Sequence, residues 1–279
     1  MSAHPDKWPA GTPCWVDMMV PDIARTQAFY RAVLGWDFSE PVAEFGGYSN
    51  ASAGGQLAAG LSPQMEGMEG APTVWTTYLA TDDIDATHRA VTENGGQVIA
   101  PPMQVGAMGS MALYTDPTGA SFGTWQAGQH TGFNAVDEPG TVAWDDVMTT
   151  DYDAARRFYA AVFGFTYEDL DMGGMKYAMF SVAGGERAAG GIGEGAGAGG
   201  SMWNVAFSVA DVDAVVDTIS EAGGTVTDPP SDFEYGRILS ATGPDGERFQ
   251  LVSPEKKDDA GAGEQGEQGE QAGQQTADV

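Results

Sequence analysis

The strongest constraint on this chain is that it spells nearly the same domain twice. Trp15-Val-Asp-Met-Met-Val-Pro-Asp22 returns as Trp144-Asp-Asp-Val-Met-Thr-Thr-Asp151, an offset of 129. Gln27-Ala-Phe-Tyr-Arg-Ala-Val-Leu-Gly-Trp36 returns at the same offset as Arg156-Arg-Phe-Tyr-Ala-Ala-Val-Phe-Gly-Phe165. Asp83-Ile-Asp-Ala, Gly95-Gly96 and Pro101-Pro102 return as Asp211-Val-Asp-Ala, Gly223-Gly224 and Pro229-Pro230, offset by 128. Asp116-Pro-Thr-Gly119 has its counterpart in Gly243-Pro-Asp-Gly246. A period of this length means two copies of one domain, and 279 residues suit two domains of ordinary size.

Within copy one, Cys14–Val20 reads as a strand. Asp22 then caps a helix to about Leu34, with Ile23, Phe29, Tyr30, Val33 and Leu34 as its apolar stripe and Gly35 as its stop. Short strands are predicted near 36–40, 47–53 and 56–61. The pattern restarts with a strand at 74–81, a helix from Asp83 to Asn94 stopped by Gly95-Gly96, and strands near 97–100, 109–115 and 120–125. Each copy is thus two strand–helix–three-strand units, four in all. The expected class is α+β, a tandem repeat of two domains, each a cup-shaped, mostly antiparallel sheet from two βαβββ units. The expected divisions are an N-terminal arm (1–11), a first domain (12–126), a linker (127–140), a second domain (141–254) and a tail (255–279). That acidic tail, built of Gly, Glu, Gln and Ala, has too little apolar surface to order and is predicted to be disordered.

The formal net charge is -28, of which the tail carries only -5, so the acidity belongs to the body. Such a surface repels phosphate backbones, which argues against nucleic acid and suits cationic ligands. Solubility or a codon bias explains it equally well. One cysteine, Cys14, allows no internal disulfide, and it reads as a small buried hydrophobe without a histidine partner. No leader and no run of about 18 apolar residues are read, so no membrane is expected and the expected compartment is the cytoplasm.

A strand, an acidic cap, a helix carrying Phe-Tyr and ending Leu-Gly or Phe-Gly, and a later Asp-Pro-x-Gly turn resemble the vicinal oxygen chelate superfamily. That group includes glyoxalase I, the bleomycin-resistance proteins and the extradiol dioxygenases. The likeness covers about residues 12–126 and 141–254 and is nearest to two-domain members from secondary-metabolite producers, some labelled hydroxylases. The resemblance implies paired βαβββ units curled around a cup, with metal ligands on the first and last strands of each unit. In this chain those positions align with Trp15 and Trp144, Thr76 and Asn204, and Gly123 and Gln250. Indole and glycine donate nothing to a metal and neutral amides donate poorly. His4, His88 and His130 fall on no cup-lining strand. No metal and no cofactor are therefore expected.

Strand alternation turns Trp15, Asp17 and Met19 toward one cup, and Trp144, Asp146 and Met148 toward the other. Tyr48, Asn50, Thr76, Tyr78 and Trp125 are expected to join the first. Tyr177, Met179, Asn204, Phe233, Tyr235 and Gln250 are expected to join the second. Rings that stack, thioethers that adapt and one acid suit a bulky aromatic guest, with or without a cationic group. The same residues also suit simple core filling. The Gly184–Gly200 stretch reads as a flexible segment over the second cup, with Ser62–Pro72 as its counterpart and Met65 and Met68 as candidate contacts. The Phe29-Tyr30 and Phe158-Tyr159 pairs read as helix packing.

The leading expectation is a metal-free binding protein for a natural product or drug, serving sequestration, self-resistance or biosynthetic delivery. A second is a metal-independent tailoring enzyme (hydroxylase helper, isomerase or cyclase) with Asp17 or Asp146 as base. A glyoxalase- or dioxygenase-type metalloenzyme is a third, and decay of one copy into a structural partner a fourth. A second copy of the chain or a biosynthetic enzyme are the expected protein partners.

Overall fold

The structure is a computed structural model that describes residues 7–68, 70–185, 187–195 and 199–254. His4 and the tail from Glu255 lie outside those residues. Copy one comprises β1 (Pro13–Val20), α1 (Ile23–Leu34), β2 (Asp37–Phe38), β3 (Ser49–Ala53), β4 (Gln56–Pro63), β5 (Thr76–Ala80), α2 (Ile84–Glu93), β6 (Gln97–Val105), β7 (Gly109–Thr115) and β8 (Ser121–Ala127). Copy two comprises β9 (Val142–Thr149), α3 (Tyr152–Phe163), β10 (Thr166–Met172), β11 (Met175–Ser181), β12 (Gly190–Glu194), β13 (Met202–Ser208), α4 (Val216–Glu221), β14 (Thr225–Phe233), β15 (Gly236–Thr242) and β16 (Arg248–Ser253).

Each copy is one open eight-stranded sheet, in the order β2-β3-β4-β1-β5-β8-β7-β6 and its equivalent β10-β11-β12-β9-β13-β16-β15-β14. The two first strands of a copy meet antiparallel at the centre, and each pairs in parallel with the last strand of its own unit. The fold is the α+β tandem repeat that the sequence implies. Asp22 caps its helix as read, and Asp83 and Asp151 act in the same way: each accepts a backbone N–H from the first helical turn. Gly35 and Gly164 close their helices at φ 68 and 71, where a side chain would be strained.

Two expectations are corrected. The strand predicted to end at residue 100 runs on through Pro101-Pro102 to Val105, and β14 likewise runs through Pro229-Pro230. Both are edge strands with a register shift at the proline pair, so the missing N–H groups break no inner ladder. The Gly184–Gly200 stretch is not a flexible segment throughout. Gly190–Glu194 forms β12, buried between β11 and β9.

The helices cover the convex faces, and the copies are joined through them. One apolar core unites Phe29, Tyr30 and Trp36 of copy one with Phe207, Ile219 and Phe249 of copy two. The other unites Tyr114 and Phe122 of copy one with Phe158, Tyr159 and Phe180 of copy two. Full burial of each such side chain contributes about 1.5–3 kcal/mol. The Phe-Tyr pairs therefore do pack helices, and they do so across the two copies. Each tyrosine also completes a buried chain. Trp75 donates to Tyr30, which donates to Glu247 of the other copy, and Trp203 donates to Tyr159, which donates to Asp116.

Candidate functional site

The concave faces carry the repeated residues. Trp15 Nε1 donates to the Tyr48 hydroxyl at 2.8 Å, and that hydroxyl donates to Asp17 Oδ2 at 3.2 Å. In copy two, Trp144 Nε1 donates to Tyr177 at 2.9 Å, and Tyr177 donates to Asp146 Oδ2 at 3.2 Å. The acid's second oxygen differs in its setting, because Asn204 Nδ2 donates to Asp146 Oδ1 at 3.0 Å. Tyr78 is the further phenol on Asp17 in copy one.

Glycines that the sequence reading passed over make this possible. Gly60 pairs with Asp17, and Gly191 pairs with Asp146. A Cβ on Gly60 would lie 1.7 Å from the Tyr48 hydroxyl oxygen, and one on Gly191 would lie 1.9 Å from that of Tyr177. Gly123 gives the same room to the Tyr78 ring, and Gly193 to Tyr177 and Met148. A glycine opposite a repeated tyrosine was the available signal. In Gly190–Gly193 it was masked by reading the run as a loop.

Burial pushes Asp17 up to about 7, against the lowering effect of hydrogen bonds from Tyr48 and Tyr78. Burial also raises Asp146, opposed by Asn204 and Tyr177. The phenols of Tyr48, Tyr78 and Tyr177 are pushed above their usual range by burial first and the neighbouring carboxylates second. They stay protonated and serve as donors.

The two cups differ in access. The linker folds back over cup one: Phe133 N–H bonds the Cys14 carbonyl, and the His130 ring stands edge-on to Trp15 with centroids 4.4 Å apart. Trp125 Nε1 donates to the His130 carbonyl. Trp15, Tyr78 and Trp125 are only 4%, 5% and 8% exposed and belong to the core with Phe133. His130 is thus brought into the cup by a linker that carried no pattern in the sequence. Burial lowers its imidazole to about 4, so the ring is neutral, and its Nε2 has no hydrogen-bond partner.

In cup two, Trp144, Asp146, Met148, Tyr177, Met179, Asn204 and Gln250 all keep partial exposure. Met179 pairs with Gly191 and Gln250 with Ala206, which places both beside the triad. Phe233 and Tyr235 sit at the β14–β15 turn with rings 6.0 Å apart. Tyr235 is 61% exposed, near enough to Tyr177 to influence its ionisation. Met19, Asn50 and Thr76 remain part-buried in cup one, while Met65 is 62% exposed on a loop.

The chain's sequence matches the family model of the Glyoxalase/Bleomycin resistance protein/Dioxygenase superfamily over residues 14–124 and again over 140–251. The chain belongs to this superfamily. Among curated superfamily relatives, the glyoxylase-named protein CFP32 of Mycobacterium bovis is 38% identical over 250 residues, covering 88% of this chain and 95% of that one. The anthracycline biosynthesis protein DnrV of Streptomyces peucetius is 35% identical over 271 residues, covering 91% and 97%. A Mn(II)-bound glyoxalase from Novosphingobium aromaticivorans shares the fold at TM-score 0.62 and 17% identity over 89% of this chain and 83% of that one. The 2,3-dioxygenase LapB from Pseudomonas sp. KL28 does so at 0.63 and 13%, over 90% and 94%.

Superfamily metal chemistry needs a cluster of oxygen or imidazole donors at the cup floor. Here the floor is Trp144, Gly191, Asn204 and Gln250 in one cup and Trp15, Gly60, Tyr78 and Gly123 in the other. Each cup has one carboxylate, already bonded by neighbouring side chains, and that donor set does not fit a catalytic metal. No group of three His, Cys, Asp or Glu side chains converges among the described residues. Cys14 is 1% exposed, its Sγ faces the Tyr78 carbonyl, and burial raises its thiol, so it is no nucleophile. Among the described residues no helix is long and apolar enough to cross a membrane.

Proposed function

We propose that this superfamily member is a cytoplasmic small-molecule protein of secondary metabolism. In this reading it holds a bulky aromatic compound in the cup of copy two, for sequestration, self-resistance or delivery to a biosynthetic enzyme. The observation that carries it is the contrast between the two indoles of otherwise equal constellations: Trp15 is buried against His130 and Phe133, whereas Trp144 keeps partial exposure, the tyrosine and the acid being part-exposed in both copies. The Trp144 indole offers a face for stacking, and Met148 and Met179 adapt to an irregular outline. Asp146 accepts one hydrogen bond on each oxygen from Tyr177 and Asn204, which leaves lone pairs for an amine or hydroxyl of the guest. The association of relatives such as DnrV with anthracycline biosynthesis supports a polyaromatic guest.

The test is a fluorescence titration with an anthracycline, followed by mass spectrometry of the recovered compound. Saturable quenching and unchanged compound are expected, with Trp144→Ala and Asp146→Asn each weakening affinity by about tenfold or more. Trp15→Phe should leave affinity unchanged. Absence of saturation, or equal loss in the Trp15 variant, would overturn the assignment.

A second reading, a metal-independent tailoring enzyme, is favoured by the Asp146 carboxyl, which burial raises above the usual carboxylate range and so makes a stronger base beside the Tyr177 hydroxyl. Recovery of a chemically altered compound, abolished by Asp146→Asn, would select it.

A further inference from the structure

The described residues line an open cleft of about 740 Å3 that is neither cup. It lies in the seam between copies. Its walls are the N-terminal turn at Trp8–Pro13, the linker at Phe133–Glu138, the start of β9, and the segment leading into β12. Its size falls within the range of about 300–1,000 Å3 typical of ligand sites, and domain seams are common places for them. We propose that this seam is a second ligand site, one that takes an organic ammonium ion with an apolar body.

Three features point to that class. The walls supplied by Trp8, Pro13, Phe133, Val142 and Val182 are apolar and accept a hydrocarbon or aromatic body. Thr12 lines the cavity at 9% exposure, and its buried hydroxyl has no hydrogen-bond partner. A buried hydroxyl left unpaired is costly, and a small side-chain rotation would let a ligand donor relieve that cost. Asp145 lines the same space at 3% exposure, with the Thr77 hydroxyl donating to it at 2.8 Å from β5.

The repeat sharpens the third point. The position equivalent to Asp145 in copy one is Val16, fully buried in the core. The repeat thus places an apolar side chain at this position in copy one, and the acid in copy two is a departure with a cost of desolvation. Asp137 and Glu138 also line the cavity, and the sole cation among its lining residues, Arg187, is ion-paired to Asp137. Three acids against one committed cation attract positive charge. An ammonium head offers three N–H donors, and both Asp145 and Thr12 are acceptors. Asp145 leaves β9 on the face opposite Asp146, so this site is distinct from the cup, although Trp144 borders both spaces.

The test is isothermal titration of the full chain with 1-naphthylmethylamine and, as its neutral counterpart, 1-naphthylmethanol. The amine is expected to bind in the seam in addition to any uptake by the cup of copy two, and at the seam the alcohol binds about tenfold or more weaker. Asp145→Asn should weaken the seam component of amine binding by a similar factor, and Ala188→Trp, which fills the cavity from its wall, should abolish that component. Tyr177→Phe and Met179→Ala should leave this binding unchanged, which separates it from the cup. If Asp145→Asn fails to fold, Ala188→Trp and Thr12→Val decide the case. No saturable binding, equal binding of amine and alcohol, or binding sensitive to the cup variants alone would overturn the proposal.

Discussion

At the scale of single residues, neighbouring carboxylates on β9 face different surroundings. Asp146 points into a part-open cup, whereas Asp145 is buried in the seam. Burial pushes Asp145 up to about 7, with the Thr77 hydrogen bond lowering it and the charge of Asp146 adding to the rise. The folded chain therefore holds this proton more tightly than the unfolded chain, where an aspartate titrates near about 3.9. The stability linked to the protonated form is complete below about pH 4 and is lost as pH rises through about 7. Asp145→Asn, which cannot ionise, should gain on the parent chain by a few kcal/mol across that window and no further above it. Urea unfolding at several pH values checks this, and a pH-independent difference would mean that the carboxyl is effectively solvated.

At the scale of elements, the helices are the couplers. α1 packs against α4 and α2 against α3, so every helix contact of this kind crosses the repeat. Gly96 and Gly224, repeated in the sequence and read only as helix stops, sit under these crossings. A Cβ on Gly224 would lie 2.7 Å from the Phe29 ring and 2.7 Å from the Thr242 carbonyl oxygen. On Gly96 it would lie 2.6 Å from Val91 and 3.1 Å from Phe158. Alanine at either site should destabilise by about 1–3 kcal/mol, the usual result of overfilling a packed contact. Thermal melts of both variants would show it, and an unchanged midpoint would indicate that the helix pairs can slide apart freely.

At the scale of the whole molecule, neither copy owns a complete convex core. The Phe-Tyr pair of one copy and the Asp-Pro-x-Gly or Gly-Pro-Asp-Gly-Glu turn of the other form reciprocal clasps, through Tyr30 with Glu247 and Tyr159 with Asp116. Two domains joined in this way should unfold together. Calorimetry and near-ultraviolet circular dichroism are expected to report one coincident transition. Two separated transitions would mean that the shared cores contribute little.

The amino-acid sequence by itself determined the repeat, the four strand–helix units, the cap at Asp22, the helix start at Asp83, and the face to which Trp15, Asp17, Trp144 and Asp146 belong. These are local matters of period, propensity and capping, and a second copy of each supplied a check. The tertiary structure alone decided that Tyr48 and Tyr177 close onto their acids, because that contact needs a glycine set beside each acid by parallel strand pairing. It alone decided that His130 and Phe133 fill one cup and that Asp145 meets Thr77 across the seam. Linker path and the packing of one copy on another depend on burial between segments 43 to 217 residues apart along the chain, and no periodicity within either segment encodes them.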